Sequence, residues 1–261
     1  MKIYLISLEK DTERRAELAQ CFPQNYPKMQ WVKAINGKEL SAKEYFSYAQ
    51  QFFNSHQKMI TPSEVGCTLS HIRALEEFLE TEEECCLILE DDVIGGDESI
   101  EKIDKFISEN NLDGVVLLRD QNKFGFEKYI IGKEHKCYYK LPFFSTRFVY
   151  GTCAYIVNRK SAQLILNYHQ QNFDIADIWS NIVKETFLKF YYFPVLIHPE
   201  DCTHSHIENE RAVFYMDENS FFKRIYKQGA FWKIYNRIRN DTYRCLLMLK
   251  GYKQIHKDKP Q

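Results

Sequence analysis

The chain has 261 residues, a formal net charge of −1, 27% charged and 44% hydrophobic side chains, the balance of a soluble globular protein with a substantial core. No stretch approaches the roughly 18 apolar residues of a transmembrane helix, and the opening run is too short for a secretory leader before Glu9-Lys10-Asp11. Eight cysteines without CxxC spacing speak against structural zinc and for reduced, mostly buried thiols, so we expect a cytosolic protein.

Residues 2–8 read as a first strand, and Asp11 as the N-cap of a helix over 13–20. Residues 29–34 read as a second strand that ends in the Asn36-Gly37 turn signal. Ser41 caps a helix to about residue 53, with Glu44 completing a capping box. Thr61-Pro62-Ser63 opens a helix on which Val65, Leu69, Ile72, Leu75 and Phe78 keep helical spacing. A buried strand at 85–89 follows, then a helix over 98–108 and a strand at 114–118. Residues 119–140 read as polar and irregular, 148–157 as a strand, 161–168 and 176–188 as helices, and 190–197 as a last strand. Strands alternating with helices predict an α/β fold with a mainly parallel central sheet flanked by helices. It fills residues 1–215, and 216–261 form a basic amphipathic helical extension.

The most informative stretch is Leu87-Ile88-Leu89-Glu90-Asp91-Asp92, an apolar strand that stops on three carboxylates. Open α/β sheets bind ligands outside the carboxyl ends of their strands. Adjacent carboxylates repel one another unless a cation or hydrogen-bond donors compensate. Oxygen-rich sites of this kind suit Mg²⁺ or Mn²⁺. The competing reading is an acidic strand-to-loop turn that holds nothing.

Six motifs in order resemble those of glycosyltransferase family 25, the bacterial lipooligosaccharide galactosyltransferases and related collagen galactosyltransferases. They are Tyr4-Leu5-Ile6-Ser7-Leu8 with Thr12-Glu13-Arg14-Arg15; Ala34-Ile35-Asn36-Gly37; Glu64-Val65-Gly66-Cys67-Thr68-Leu69-Ser70-His71; Ile88-Leu89-Glu90-Asp91-Asp92-Val93; Gly151-Thr152 with Ala154-Tyr155; and Ser205, Ile207 and Arg211. The family's Pro-x-Asp element has only Ile175-Ala176-Asp177 as a counterpart, without the proline. The resemblance implies a GT-A type fold and a UDP-sugar donor bridged to the acidic motif by Mn²⁺ or Mg²⁺. It also implies a glycolipid or oligosaccharide acceptor.

Residue chemistry fits those roles. A leaving diphosphate needs electrophilic stabilisation, which a carboxylate-held cation supplies. Asp92 is the first expected ligand, with Glu90 beside it; Asp91 falls on the other face of a regular strand and is expected on the donor. Guanidinium forks suit diphosphate, so one of Arg14 and Arg15 is expected to bind it and the other to be structural. Ser7 and Asn36 are expected at the uracil or ribose, and Ser70 and His71 at the donor sugar or phosphates, while Cys67 is read as packing. Inverting transfer needs a base, for which Asp177 is the candidate and Asp174 the fallback. Trp179 is read as a sugar-stacking platform, and Thr152 joins it on the acceptor side. His204 and His206 are two apart, so on a strand they would share a face and complete the metal shell.

The tail carries its own signal. Residues 221–261 hold eleven Lys or Arg against two acids, interleaved with aromatic and aliphatic residues. Residues 231–250 read as an interfacial helix for an anionic membrane, which would make the protein peripheral on the inner membrane face. The competing reading packs Trp232, Ile238 and Leu246 as a core stripe. No motif points to nucleic acid. The function expected is a metal-dependent galactosyltransferase, and the alternative is an inactive accessory protein that binds a nucleotide sugar or glycan.

Overall fold

The computed structural model describes residues 1–111, 113–121, 126–199, 207, 210–211 and 229–255. Its centre is β1 (Lys2–Ser7), parallel to β2 (Met29–Lys33) on one side and β3 (Cys85–Glu90) on the other. Next come β7 (Ala154–Asn158), antiparallel to both neighbours, β4 (Val115–Arg119), and β8 (Phe190–Leu196), which runs parallel to β4. The antiparallel β6 (Tyr139–Leu141), β5 (Ile131–Glu134) and β9 (Lys253–Gln254) complete the order β2-β1-β3-β7-β4-β8-β6-β5-β9.

The α/β sheet with flanking helices is as the sequence predicts, but its pairing is mixed. Among the described residues three pairings are parallel and five antiparallel. The physical reason is that a strand buried on both faces is apolar throughout, whichever way its neighbours run. The 119–140 stretch, read as irregular, contains the β5–β6 hairpin. The strand expected from residue 148 starts only at Ala154, because Gly151 turns the chain at φ +85°.

Strand alternation divides the core. Tyr4, Ile6, Ile88, Leu117, Tyr155 and Val157 face one side, covered by α3 (Pro62–Leu79), α6 (Arg159–Gln171) and α7 (Trp179–Thr186). Ile3, Leu5, Leu87, Leu89, Val116 and Ile156 face the other, covered by α1 (Thr12–Cys21) and α4 (Asp97–Glu109). Helix α2 (Ala42–His56) starts with the expected Ser41–Glu44 capping box, and the one-turn helix α5 (Phe143–Thr146) follows β6. The last helix, α8 (Gly229–Leu249), leads into β9, so the extension expected from residue 216 contributes a strand to the sheet. None of the described helices is long and apolar enough to cross a membrane.

Helix α3 positions the site. Thr61 Oγ1 accepts from the Glu64 amide at 3.2 Å, and Glu64 Oε2 accepts from the Thr61 amide at 2.8 Å. Gly66 and Gly37 let the 35–37 segment lie directly on the first turns of the helix. A Cβ built on Gly37 would stand 1.6 Å from the Pro62 carbonyl oxygen, and one on Gly66 would stand 2.5 Å from the Gly37 amide nitrogen.

The core also contains an acid-labile element. Burial, then the nearby His71, pushes His169 down to about 4, and its Nδ1 has no hydrogen-bond partner among the described residues. The unfolded chain takes up this proton near pH 6.5 and the folded one only near 4. The folded state therefore loses up to about 3 kcal/mol as pH falls through that window, and keeps its full stability above it. His169→Leu is expected to lower the difference in melting temperature between pH 7.5 and pH 5. An undiminished difference would refute the assignment.

Candidate active site

The carboxyl ends of β1, β3, β4 and β8, and the start of the antiparallel β7, lie along one edge of the sheet. Ser7, Glu90, Arg119, His198 and Thr152 gather there from five different parts of the chain. The turn after β3 is pinned at both ends. Val93 N–H donates to the Glu90 carbonyl at 3.3 Å, and Ile94 bridges Ile197 just past β8.

Each of the three carboxylates has a different environment. Glu90 is held ionised: burial works against the charge, but His71 and Thr152 override it and pull the group down to about 2. Thr152 Oγ1 donates to Glu90 Oε1 at 2.6 Å, and His71 Nε2 lies 3.1 Å from the same oxygen. Burial raises the Tyr155 phenol, and its hydroxyl lies 3.0 Å from His71 Nδ1, so His71 links Tyr155 to Glu90. Asp91 accepts from Arg14 Nη1 at 3.1 Å, yet burial outweighs this and its Ser7 bond and pushes it up to about 6. Asp92 meets His198, with Nε2 at 3.2 Å from Oδ2, while its Oδ1 is buried and without a hydrogen-bond partner among the described residues.

An orphaned buried carboxylate oxygen beside two further acids offers oxygen donors of the kind a hard divalent cation takes. Ligand atoms of Cys67, His71 and Glu90 also lie within 4.8 Å of one another. That trio fits a hard ion poorly, because burial keeps the Cys67 thiol protonated and His71 Nε2 is engaged with Glu90. The expected ligands His204 and His206 lie outside the described residues.

A cavity opens beside these acids, walled by Arg14, Asn36, Ser63, Cys67, His71 and Ile207. Arg14 reaches it and Arg15 does not. Arg15 stacks over Trp31 at 4.4 Å and donates to Ser7 Oγ and to the Leu8 and Glu9 carbonyls, which makes it the brace of the β1 end. Cys67, read as packing, lines the cavity.

Several expected ligands make structural contacts, although Ser7, Asn36 and Ser70 also border the cavity. Ser7 is buried; its hydroxyl accepts from Arg15 and is shared between the Leu8 carbonyl and Asp91. Ser70 Oγ accepts from the Ile35 amide and donates to the Gly66 carbonyl, fixing the 35–37 segment on α3. Asn36 caps its own turn through the Lys38 amide and Glu39, although it borders the cavity. Thr152 is buried and serves Glu90 rather than an acceptor.

Trp179 is not a stacking platform. It is 2% exposed, packs against Tyr155 and Phe190, and donates its indole N–H to the Gly151 carbonyl. Asp174 is fully buried, accepting from Tyr168, Asn181 and the Ile175 amide, with His56 Nε2 at 3.3 Å. Four polar groups occupy its two oxygens, so it holds α6 and α7 together and is no base. Asp177 is different: burial raises it, countered by Arg211 and reinforced by Glu90.

Sequence reasoning missed Tyr155, His198, Arg119 and the Glu64–Arg211 ion pair at 2.7 Å. For His198 the usable signal was its place just past a strand that ends at the functional edge.

Residues 1–179 match the family described as Glycosyltransferase family 25 (LPS biosynthesis protein), and the chain belongs to glycosyltransferase family 25. A Glycosyltransferase 25 family member of Anopheles gambiae is 32% identical over 96 residues, 35% of this chain and 16% of that protein. Procollagen galactosyltransferase 2 of Homo sapiens is 22% identical over 171 residues, 63% of this chain and 27% of that protein. The first three relatives, all from insects, are thus matched over 15% or 16% of their own length. Among solved structures, galactosyltransferase LgtC in complex with donor and acceptor sugar analogs overlays with TM-score 0.38 at 12% identity, covering 82% of this chain and 95% of that one.

Proposed function

We propose that this chain is a metal-dependent, inverting glycosyltransferase of GT-A type. It moves a hexose, in the first instance galactose, from a UDP-sugar to a terminal sugar hydroxyl of a lipooligosaccharide or related surface glycan. The observation that carries the reading is the convergence of Arg14, Glu90, Asp91 and Asp92 on one cavity, with a buried Asp92 oxygen left over for a ligand.

In this reading the donor lies along the cavity between β1 and α3. Arg14 faces the diphosphate, with Asp91 fixing its guanidinium. Tyr155, His71 and Thr152 hold Glu90 in place and ionised, so that its geometry is set before the donor arrives. A divalent ion held by Asp92 and Glu90 would supply electrophilic stabilisation of the leaving diphosphate. Asp177 takes the proton of the acceptor hydroxyl as that oxygen attacks the anomeric carbon and UDP departs from the opposite face. A base raised by burial is better matched to this proton transfer than an ordinary aspartate.

The test is UDP release from UDP-galactose with a sugar-terminated acceptor, with the product linkage read by NMR. The expected result is a β-linked product from the α-linked donor, release that EDTA abolishes, and a loss of about 10²–10⁴ in kcat for Asp177→Asn. Release indifferent to EDTA contradicts the reading. UDP binding without turnover across donors and acceptors would favour the inactive accessory protein instead.

A further inference from the structure

Helix α8 sits on the domain with its polar side inward. Asp241 pairs with Lys128 at 3.0 Å, and buried polar atoms of Asn240 and Arg244 on the same side have no partner among the described residues. Leu247 packs on the core from this helix and Tyr243 stacks on Phe144 at 6.0 Å, joined beyond the helix end by Tyr252 and Ile255. The outward side is apolar. Ile234, Ile238, Thr242, Cys245 and Leu249 follow one another at spacings of four, four, three and four residues, which makes one continuous stripe along a helix. Ile234 is 57% exposed, Ile238 61% and Leu249 85%, and Tyr235 and Leu246 widen the stripe at 47% and 51%. Trp232, Ile238 and Leu246, weighed above as a core stripe, are all exposed. An ordinary surface helix shows the reverse arrangement, apolar side in and charged side out.

We infer that this stripe is a docking surface for an anionic lipid leaflet. Charge decides the occupant. Between residues 232 and 255 the chain carries Lys233, Arg237, Arg239, Arg244, Lys250 and Lys253 against Asp241 alone, and Asp241 is already paired. A second copy docking through this stripe would bring two sets of like charges together, because a two-fold interface places the same patch on both sides. An anionic surface meets the same cations with attraction, and its interface accepts the exposed isoleucines, Leu249, Tyr235 and Trp232. The inference concerns where the enzyme works and is independent of the reaction proposed above.

The test is co-sedimentation of the full chain with vesicles of phosphatidylcholine alone or enriched in phosphatidylglycerol, at low and high salt. Ile238→Asp with Leu249→Asp is compared with the unmodified chain, and both are run by sedimentation velocity without lipid. The expected result is recovery with anionic vesicles at low salt, about tenfold weaker partitioning to neutral vesicles or at high salt, and a comparable loss in the double variant. Both substitutions fall on exposed positions, so an unchanged melting temperature separates lost docking from lost folding. Equal recovery in the supernatant under all conditions overturns the inference. So does equal vesicle binding by the variant, or a lipid-free dimer that the substitutions dissociate.

Discussion

Asp92→Ala is expected to lower kcat/KM for sugar transfer by about three orders of magnitude while leaving the melting temperature unchanged or higher. The two halves of this expectation have one cause. Asp92 Oδ1 is a buried acceptor without a partner among the described residues, and such a group costs about 1–3 kcal/mol of stability. Deleting it removes that cost, partly offset by the loss of the His198 contact. In the proposed reading the same atom is the open position for a cation, and losing one electrostatic stabiliser of developing charge typically costs 10²–10³ in rate, more when charge-neutralising metal goes with it. Kinetics and thermal melts on one preparation check both halves. A large fall in stability accompanied by modest activity loss would make Asp92 a structural residue.

Gly66→Ala is expected to cost about 3 kcal/mol or more of unfolding free energy, although alanine is the better helix former by roughly 1 kcal/mol. The added methyl would stand 2.5 Å from the Ile35 carbonyl oxygen and from the Gly37 amide nitrogen. Both are backbone atoms that have no rotamer to yield, so the 35–37 segment must lift off α3. Overpacking of a rigid contact costs typically 1–3 kcal/mol and more when backbone must move. Gly37→Ala meets the Pro62 carbonyl at 1.6 Å and is expected to be at least as severe. Because both glycines serve one contact, the double variant should fall short of the sum. Urea denaturation midpoints measure this, and a loss below 1 kcal/mol for Gly66→Ala would show that the contact is soft.

The parts of the fold legible in the sequence are those with local causes. The capping residues at Ser41 and Thr61 and the apolar run before Glu90 each act within one element. The β5–β6 hairpin has four residues in one strand and three in the other, too short to show a period. The direction of β7 depends on which strands flank it, and no local pattern records that. The site divides in the same way. Three acids ending a buried strand announce a ligand position, and a cavity does open there. The structural contacts of Asp174, Thr152 and Trp179 are not legible in the sequence, because their burial depends on distant partners. Asp174 is claimed by His56 and Tyr168, Thr152 by Glu90, and Trp179 by the Gly151 carbonyl. His198 is 106 residues from Asp92 in sequence and 3.2 Å away in space, which no spacing rule reports.

The central claim is that the cavity beside β1 and β3 binds a nucleotide diphosphate through a divalent ion on Asp92. Calorimetric titration of UDP into the protein, with Mn²⁺ and then with EDTA, tests this most directly when repeated on Asp92→Ala. The account predicts that EDTA weakens UDP binding by at least about tenfold, roughly 1.4 kcal/mol, in the unmodified protein, and that the variant binds with the weaker affinity in both conditions. An unmodified protein with the same affinity in Mn²⁺ and in EDTA, or a variant that keeps the full metal dependence, would contradict it.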